Sequence, residues 1–487
     1  MTTILDKRRA GILLHVSSLP GGDFGQDAYY FVNFLHDCGI TVWQTLPLGV
    51  THADGSPYQC LSAHAGNPVF ISIEGLAGQG WLDLSERCED CQHTPGFHKS
   101  CLINKAYAGF LKRGARQDKE DFENFCREKA FWLDDFALFM AFRDLFHQQC
   151  WNQWPEPCKE RHEKTLKEAR QRLKTQIDFI KFGQYVFFRQ WQELKDYANQ
   201  KGVLLFGDIP IFVSYDSADV WANRQEFKLD EFGRMPVVAG VPPDYFSATG
   251  QRWGNPHYNW SHMEKNGFSW WLDRLETQLD IFDILRIDHF RGLEAAWEIP
   301  ANEETAINGN WVRAPGEAML SAIKTQLGSI PLVAEDLGII TPEVEDLRDK
   351  FNLPGMKILQ FAFGGNADNP YLPDHYVKNC VVYTGTHDND TTIGWLEKLS
   401  EDERRYIYDY LGNPSLPLHC ALIHAALGSV ANLAVIPMQD ILELGTEHRM
   451  NIPGTSSGNW NWRFGWDQVT HQRATRLSHL VGLFNRN

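Results

Sequence analysis

The 487-residue chain is short of positive charge and of long apolar runs, and each shortage excludes a class of function. Lys and Arg total 46 against 62 Asp and Glu, a net charge of -16. Such a surface repels nucleic acid and anionic membrane but is indifferent to a neutral substrate. No apolar stretch approaches the roughly 18 residues that span a bilayer. The apolar run after Arg9 is about six residues, too short for a signal-peptide core. The expected location is therefore the cytoplasm, where the 10 cysteines are expected to be thiols, not a disulfide framework. No GxGxxG and no GxxxxGK[ST] is present, so nucleotide binding has no support. Low-complexity linkers and internal repeats are also lacking.

One cysteine-rich stretch bears on metals. Cys88 and Cys91 are followed by His93, His98 and Cys101. These are zinc-ligand types, but the spacing matches no familiar module and no second CxxC follows. No metal and no cofactor is expected in the catalytic machinery. Aromatic residues make up 13% of the chain, with 17 Trp. Composition alone does not say whether they fill a core or stack on sugars.

What is present is a rhythm. A short apolar, β-branched run is followed by a helical stretch, and the pair recurs eight times. The runs are GILLH (11–15), TVWQTLPL (41–48), VLLFGDIPIF (203–212), ILRID (284–288), PLVAEDL (331–337), MKILQF (356–361), VVYTGT (381–386) and LAVIPM (433–438). Continuous apolar strands alternating with helices read as a parallel sheet buried on both faces. Eight such units predict an α/β fold, a (β/α)8 barrel of the TIM type, as one catalytic domain over residues 1–487. About 150 residues separate the second and third runs, so a mainly helical subdomain is expected over 55–200. The Gly-, Pro- and aromatic-rich segment 213–262 is expected to be a lid or substrate loop inserted between strands three and four. Both insertions would lie on the C-terminal face.

Carboxylates cluster where these runs end. Asp208, Asp288, Glu335, Asp336, Asp388 and Asp440 each fall at or just past a strand's C-terminus. In a barrel that rim carries the active site, so acids far apart in sequence meet in one cavity. Any one of them reads equally well as a helix N-cap. Four strand ends together read as a catalytic set. Paired carboxylates suit glycosidic-bond chemistry, one as nucleophile or base and one as general acid.

The motifs then carry a resemblance. RIDHFRG (286–292), AEDLG (334–338) and THDN (386–389) resemble conserved regions of the α-amylase superfamily, and FGDIPIFV (206–213) resembles the amylomaltase form of another. LLHVSSLPG (13–21), WQTLPLG (43–49), DGSPYQ (54–59), SAHAGNP (62–68), GVPPDYFSATGQRWGNP (240–256), VIPMQD (435–440) and RMNIPGTSSGNWNWR (449–463) are similar to amylomaltases, the 4-α-glucanotransferase or disproportionating-enzyme family. The resemblance runs from residue 9 to 463 and is thinnest in the helical insert.

It implies Asp288 as nucleophile, Glu335 as acid/base and Asp388 as transition-state stabiliser. Arg286, on the strand face of Asp288, would keep that carboxylate ionised. Asp208 and His387 are implied to bind sugar hydroxyls, and Ser56 and Tyr58 to contact the donor-side glucose. Tyr245, Phe246 and Trp253 are implied to form an aromatic loop over the acceptor, and Asn459 to touch substrate. The implied partners are maltooligosaccharides, amylose or glycogen-derived α-1,4-glucans.

Cys60, His64, Leu293 and Asn461 depart from the family pattern, which bears on chain-length preference and not on the reaction. Pro210 to Phe212 stand where amylases carry a histidine, which favours transfer over hydrolysis. Two other readings remain open on these residues: an α-1,4-glucan hydrolase on the same fold, and an inactive glucan-binding protein. The intact acid trio argues against the second.

Overall fold

The computed structural model describes residues 4–85, 95–243, 247–328 and 331–487, side chains of 95–98 excepted. Eight strands form one parallel sheet: β1 (Arg9–Leu13), β2 (Val42–Gln44), β3 (Leu204–Pro210), β4 (Ile284–Asp288), β5 (Leu332–Ala334), β6 (Gly355–Ile358), β7 (Cys380–Tyr383) and β8 (Leu433–Pro437). Each falls within or beside one of the eight apolar runs. The sheet closes on itself. β8 pairs with β1, and the Ala334 amide donates to the Pro354 carbonyl at 2.9 Å, joining β5 to the entry of β6. The fold is the expected (β/α)8 barrel.

The strands are mostly apolar because both faces are covered. Val42, Phe206, Ile284, Val333, Val381 and Val435 pack in the barrel interior, while Ile12, Trp43, Leu205, Ile287 and Ala434 face the helices. Register matters most between β3 and β4. Asp208 lies opposite Arg286 and Pro210 opposite Asp288. Residues two apart share a face, so this pairing brings Asp208, Arg286 and Asp288 to one side. Gly207 on β3 has no room for a side chain, since a Cβ there would sit 2.2 Å from the Phe282 ring.

Between β2 and β3 lie helices, including Pro95–Arg113, Arg116–Glu128, Ala130–Leu145 and the 27-residue Lys174–Gln200. The last is helical because Ile177, Phe182, Val186, Trp191, Leu194 and Ala198 repeat at three- to five-residue spacing along one buried stripe. It stops at Gly202, whose φ of +77° breaks the helix. The tryptophans go mostly to the core. Trp43, Trp81, Trp151, Trp191, Trp221 and Trp271 are among the largest fully buried side chains.

One layer was not legible beforehand. Gln251–Arg252, Val237–Val241, Ala295–Pro300 and Asn310–Arg313 form a four-stranded antiparallel sheet in that order. Its strands come from the loops that follow β3 and β4, so it stands on the C-terminal rim. At the opposite end the tail clasps the barrel. The Ala10 amide donates to the Arg486 carbonyl at 3.0 Å. The Arg486 guanidinium, fully buried, donates to the carbonyls of Leu427, Ser429 and Arg9.

Candidate active site

A cleft of about 610 Å³ opens at the C-terminal rim. Its walls include Ser56, Tyr58, Trp253, Arg286, Asp288, Glu335, His387 and Asp388. The barrel supplies the floor. Arg286 of β4 reaches both neighbours, Nη1 donating to Asp208 Oδ2 at 2.6 Å and Nη2 to Asp288 Oδ1 at 2.7 Å. Tyr58, carried in by the loop after β2, donates its hydroxyl to the same Asp208 Oδ2 at 2.7 Å. Asp208 is 2% exposed, and these two donors meet its Oδ2 where water does not reach.

Glu335 follows β5 and faces Asp288 across a strand gap. Ile287 pairs with Ala334, and the next residue on each strand is the acid. His289, immediately after Asp288, adopts a left-handed backbone with φ +54°. That turn aims its amide at Glu335 Oε2, 2.6 Å away, while the Leu337 amide donates to Oε1 at 2.9 Å. Burial is the largest influence on Glu335 and raises its pKa. The charge of Asp288 adds to this, Arg286 and the two amides oppose it, and the result is about 7. Near neutral pH this carboxyl is poised to hold or release a proton.

Asp288 moves the same way. Burial lifts its pKa, and the charges of Asp208 and Asp388 add to the lift; Arg286 is the main opponent, with His387. The guanidinium favours the anion, but burial, with the charges of the neighbouring acids added to it, outweighs that pull. Its own pKa rises well above the ordinary value although burial works to lower it, because Asp208 and Asp288 both hold the proton on.

Asp388 lies past β7. Its side chain is 48% exposed, and that surface opens on the cleft. Burial works against its charge, but the His387 ring nitrogen 3.3 Å away and the Asn451 amide at 2.6 Å outweigh it and depress its pKa. Burial likewise works to lower the pKa of His387, and Asp388 outweighs it, so the net direction is up. The two form an ion pair. The His387 ring stacks on Tyr58, with centroids 5.1 Å apart and planes 16° from parallel. Trp460 closes this side, its ring 6.0 Å from that of Tyr58. Trp253 stands on the other side, edge-on to His289 at 4.8 Å.

Ser56, Tyr58, Trp253, Arg286, Asp288, Glu335, His387 and Asp388 thus converge on the cleft, and Asp208 braces its floor. Tyr245 and Phe246 lie outside the described residues, as do Cys88, Cys91 and His93; of His98 only the backbone is described. Asn459 does not line the cleft. Its side chain is used within its own loop, accepting from the Ile452 amide at 3.0 Å and donating to the Thr455 carbonyl at 3.1 Å. Asp336 and Asp440 also turn inward to structural partners. Asp336 accepts from the Met356 amide and pairs with Arg348; Asp440 accepts from Thr384 and Thr392.

Several contributors were missed from sequence. Asn451 and Arg449 hold Asp388 by its carboxylate and its carbonyl, at 2.6 Å and 2.8 Å. They sit inside the quoted RMNIPG stretch, but nothing in the letters says where it folds. Nearby GTSSG (454–458) has the letters of a hydrolase nucleophile elbow, yet it is an exposed loop, not a strand-to-helix turn. Among the described residues, His419, Cys420 and Glu443 bring metal-type ligand atoms within 4.8 Å of one another. Glu443 is already neutralised there by Arg473 and Arg476, at 3.3 Å and 2.7 Å.

A parallel barrel with paired acids at the mouth of a cleft defines the class: a (β/α)8-barrel enzyme of the two-carboxylate kind suited to glycosidic bonds. The comparisons with known proteins then fix the family. A family model described as 4-alpha-glucanotransferase matches residues 14–468. A 4-alpha-glucanotransferase of Synechocystis is 47% identical, covering 99% of this chain and 99% of that protein. One from Thermus thermophilus is 47% identical, covering 97% and 98%. The structure of an amylomaltase from Streptococcus agalactiae in complex with acarbose superposes with a TM-score of 0.94 at 37% identity, covering 99% and 100% of the two chains. The chain belongs to the 4-alpha-glucanotransferase family, and 4-alpha-glucanotransfer is its activity. Among the described residues no helix is long and apolar enough to cross a membrane.

Proposed function

We propose that the chain moves α-1,4-glucan segments from maltooligosaccharide, amylose or glycogen-derived donors to the 4-hydroxyl of glucose or a glucan, with retention of configuration. Asp288 attacks the anomeric carbon, and its oxygen bonds there as the glycosidic C–O bond breaks. Glu335 gives its proton to the departing oxygen. In the second half Glu335 takes the proton of the acceptor's 4-hydroxyl, whose oxygen displaces Asp288 from the same carbon. Asp388, held by His387 and Asn451, supplies fixed negative charge to the oxocarbenium-like transition state.

The observation that carries this reading is the contact between Glu335 and the backbone of the residue after Asp288, 2.6 Å long. It sets a carboxyl with a pKa of about 7 beside one held in a salt bridge. Asp208 and His387 are proposed as hydroxyl binders, with Ser56 and Tyr58 on the donor side. Trp253, with Tyr245 and Phe246, is proposed to cover the acceptor, offering a flat face to a C–H-rich sugar ring and limiting water. The acarbose complex of the S. agalactiae relative supports a cleft that takes an oligosaccharide. The cytoplasm is the proposed location, though a potato relative's name places that protein in the chloroplast or amyloplast.

The test is incubation with maltotriose and separation of products by length. Glucose together with oligomers longer than the substrate is the expected result. Glucose and maltose alone would assign a hydrolase, and an unchanged substrate would overturn catalysis altogether.

A further inference from the structure

Trp311 occupies an unusual place for a tryptophan in this molecule. It is 37% exposed, on the strand Asn310–Arg313, all four of whose residues are exposed. Yet the ring is fixed. The Arg291 guanidinium lies 3.7 Å from its centroid, and the Trp297 ring meets it at 5.2 Å and 63°. Arg291 is itself 5% exposed, and its Nη1 donates to the Ile339 carbonyl. It stands three residues past Asp288, in the short turn Phe290–Leu293. Packing therefore ties Trp311 rigidly to the strand that carries Asp288.

Trp311, Arg291 and Ile339 all line the cleft that holds the acids. Their side of it is that of Glu335: His289 and Leu337 donate to its carboxyl, and Ile339 lies four residues beyond it. Tyr58, Trp460 and His387 cluster around Asp388 instead. Across the antiparallel sheet, Arg252, Gly240, Trp297 and Trp311 form one row of paired residues. Trp253 follows Arg252, so Trp311 stands three strand spacings from it, about 14 Å. That is a span of several glucose rings. A rigid, half-exposed indole on a cleft wall is what a sugar face stacks against.

We propose that Trp311 is a stacking platform for a sugar ring remote from the cleaved bond, on the leaving-group and acceptor side, and that it makes long glucan acceptors better than glucose. The inference rests on the glucanotransferase reading, with Glu335 as the acid. Glucose reaches only the position next to Asp288, whereas a long acceptor reaches Trp311 as well.

The experiment supplies amylose as donor and isotopically labelled glucose or labelled maltohexaose as acceptor. It compares kcat/KM for the two acceptors in the wild type, Trp311→Ala and Trp311→Phe. The ratio of maltohexaose to glucose should fall about tenfold in Trp311→Ala, the equivalent of one stacked ring, while Trp311→Phe keeps most of it. An unchanged ratio overturns the proposal. So does an equal loss on both acceptors, which would make Trp311 a packing residue of its sheet. If wild-type protein labels neither acceptor, the transferase reading fails instead, and the two failures are told apart. Thermal melting of each variant establishes that it is folded.

Discussion

Glu335 keeps its proton to a pH well above the ordinary carboxyl range, and that has a cost in stability. Its pKa is about 7 in the folded chain against an ordinary 4.5. Between those values the folded protein binds more protons than the unfolded one, so stability falls as pH rises. Below 4.5 both states are protonated and the penalty is absent; above 7 it is complete. Glutamine is neutral at every pH and keeps an oxygen for the amide of His289 or Leu337. Glu335→Gln should therefore unfold at higher denaturant than the wild type at pH 8, by about 3 kcal/mol, with the margin shrinking toward pH 5. A margin that does not change with pH, or a less stable variant at pH 8, would mean that Glu335 carries no buried-charge penalty. Burial and the crowding of acids also raise the pKa of Asp288, and only part of their cause lies nearby in sequence. Arg286 is visible two residues away, but Asp208 and Asp388 act through space, across some 80 and 100 residues of chain.

Strands and loops differ in how much of themselves they declare. Gly207 is a case where an element depends on a missing atom. A Cβ there would come within 2.2 Å of the Phe282 ring, which is 1% exposed and packs in the core outside the barrel. Gly207→Ala should cost about 3 kcal/mol, as overpacking does in a filled core. Trimming the ring with Phe282→Leu in the same chain should return part of that. Equilibrium urea unfolding measures both, and an unaffected single variant would mean that β3 shifts freely. The eight barrel strands were legible because a strand buried on both faces is apolar at most positions, and at all of them in LVA and CVVY. The antiparallel sheet was not, since its strands run only two to six residues and Asn310–Arg313 is exposed throughout. Its existence depends on Val237–Val241 finding Ala295–Pro300, a pairing that no local pattern announces. The acids were legible for the same reason as the strands that end in them. Asn451 and Trp460 were not, because an irregular loop carries no period from which to read direction. Asn459, in that same loop, was placed on substrate by resemblance, whereas its side chain bonds within the loop.

At the scale of the whole molecule, the barrel is held shut from below by the tail. Arg486 donates to the carbonyls of Leu427, Ser429, Arg9 and Asn432 and pairs with no carboxylate among the described residues, and burial, reinforced by the nearby charge of Arg8, pushes its pKa down to about 9. Arg486→Met fills similar space but removes the guanidinium's bonds, leaving Arg8 as the side-chain donor to the carbonyls of Leu427 and Ser429, which should cost about 2 kcal/mol in urea unfolding. Transfer by the folded protein should be unaltered, because the clasp is at the end of the barrel opposite the cleft. Unchanged stability would mean that water replaces the guanidinium without loss. The clasp also sets an order of events. β1 lies between β2 and β8, and its Ala10 amide is bonded to Arg486. During synthesis the first strand leaves the ribosome with one edge bare and waits for some 420 further residues before β8 covers it. At ordinary translation speed that interval is on the order of half a minute. An apolar edge unpaired for so long is a standing invitation to aggregation, so the nascent chain is more exposed to mispairing than the finished enzyme, whose barrel leaves that edge covered.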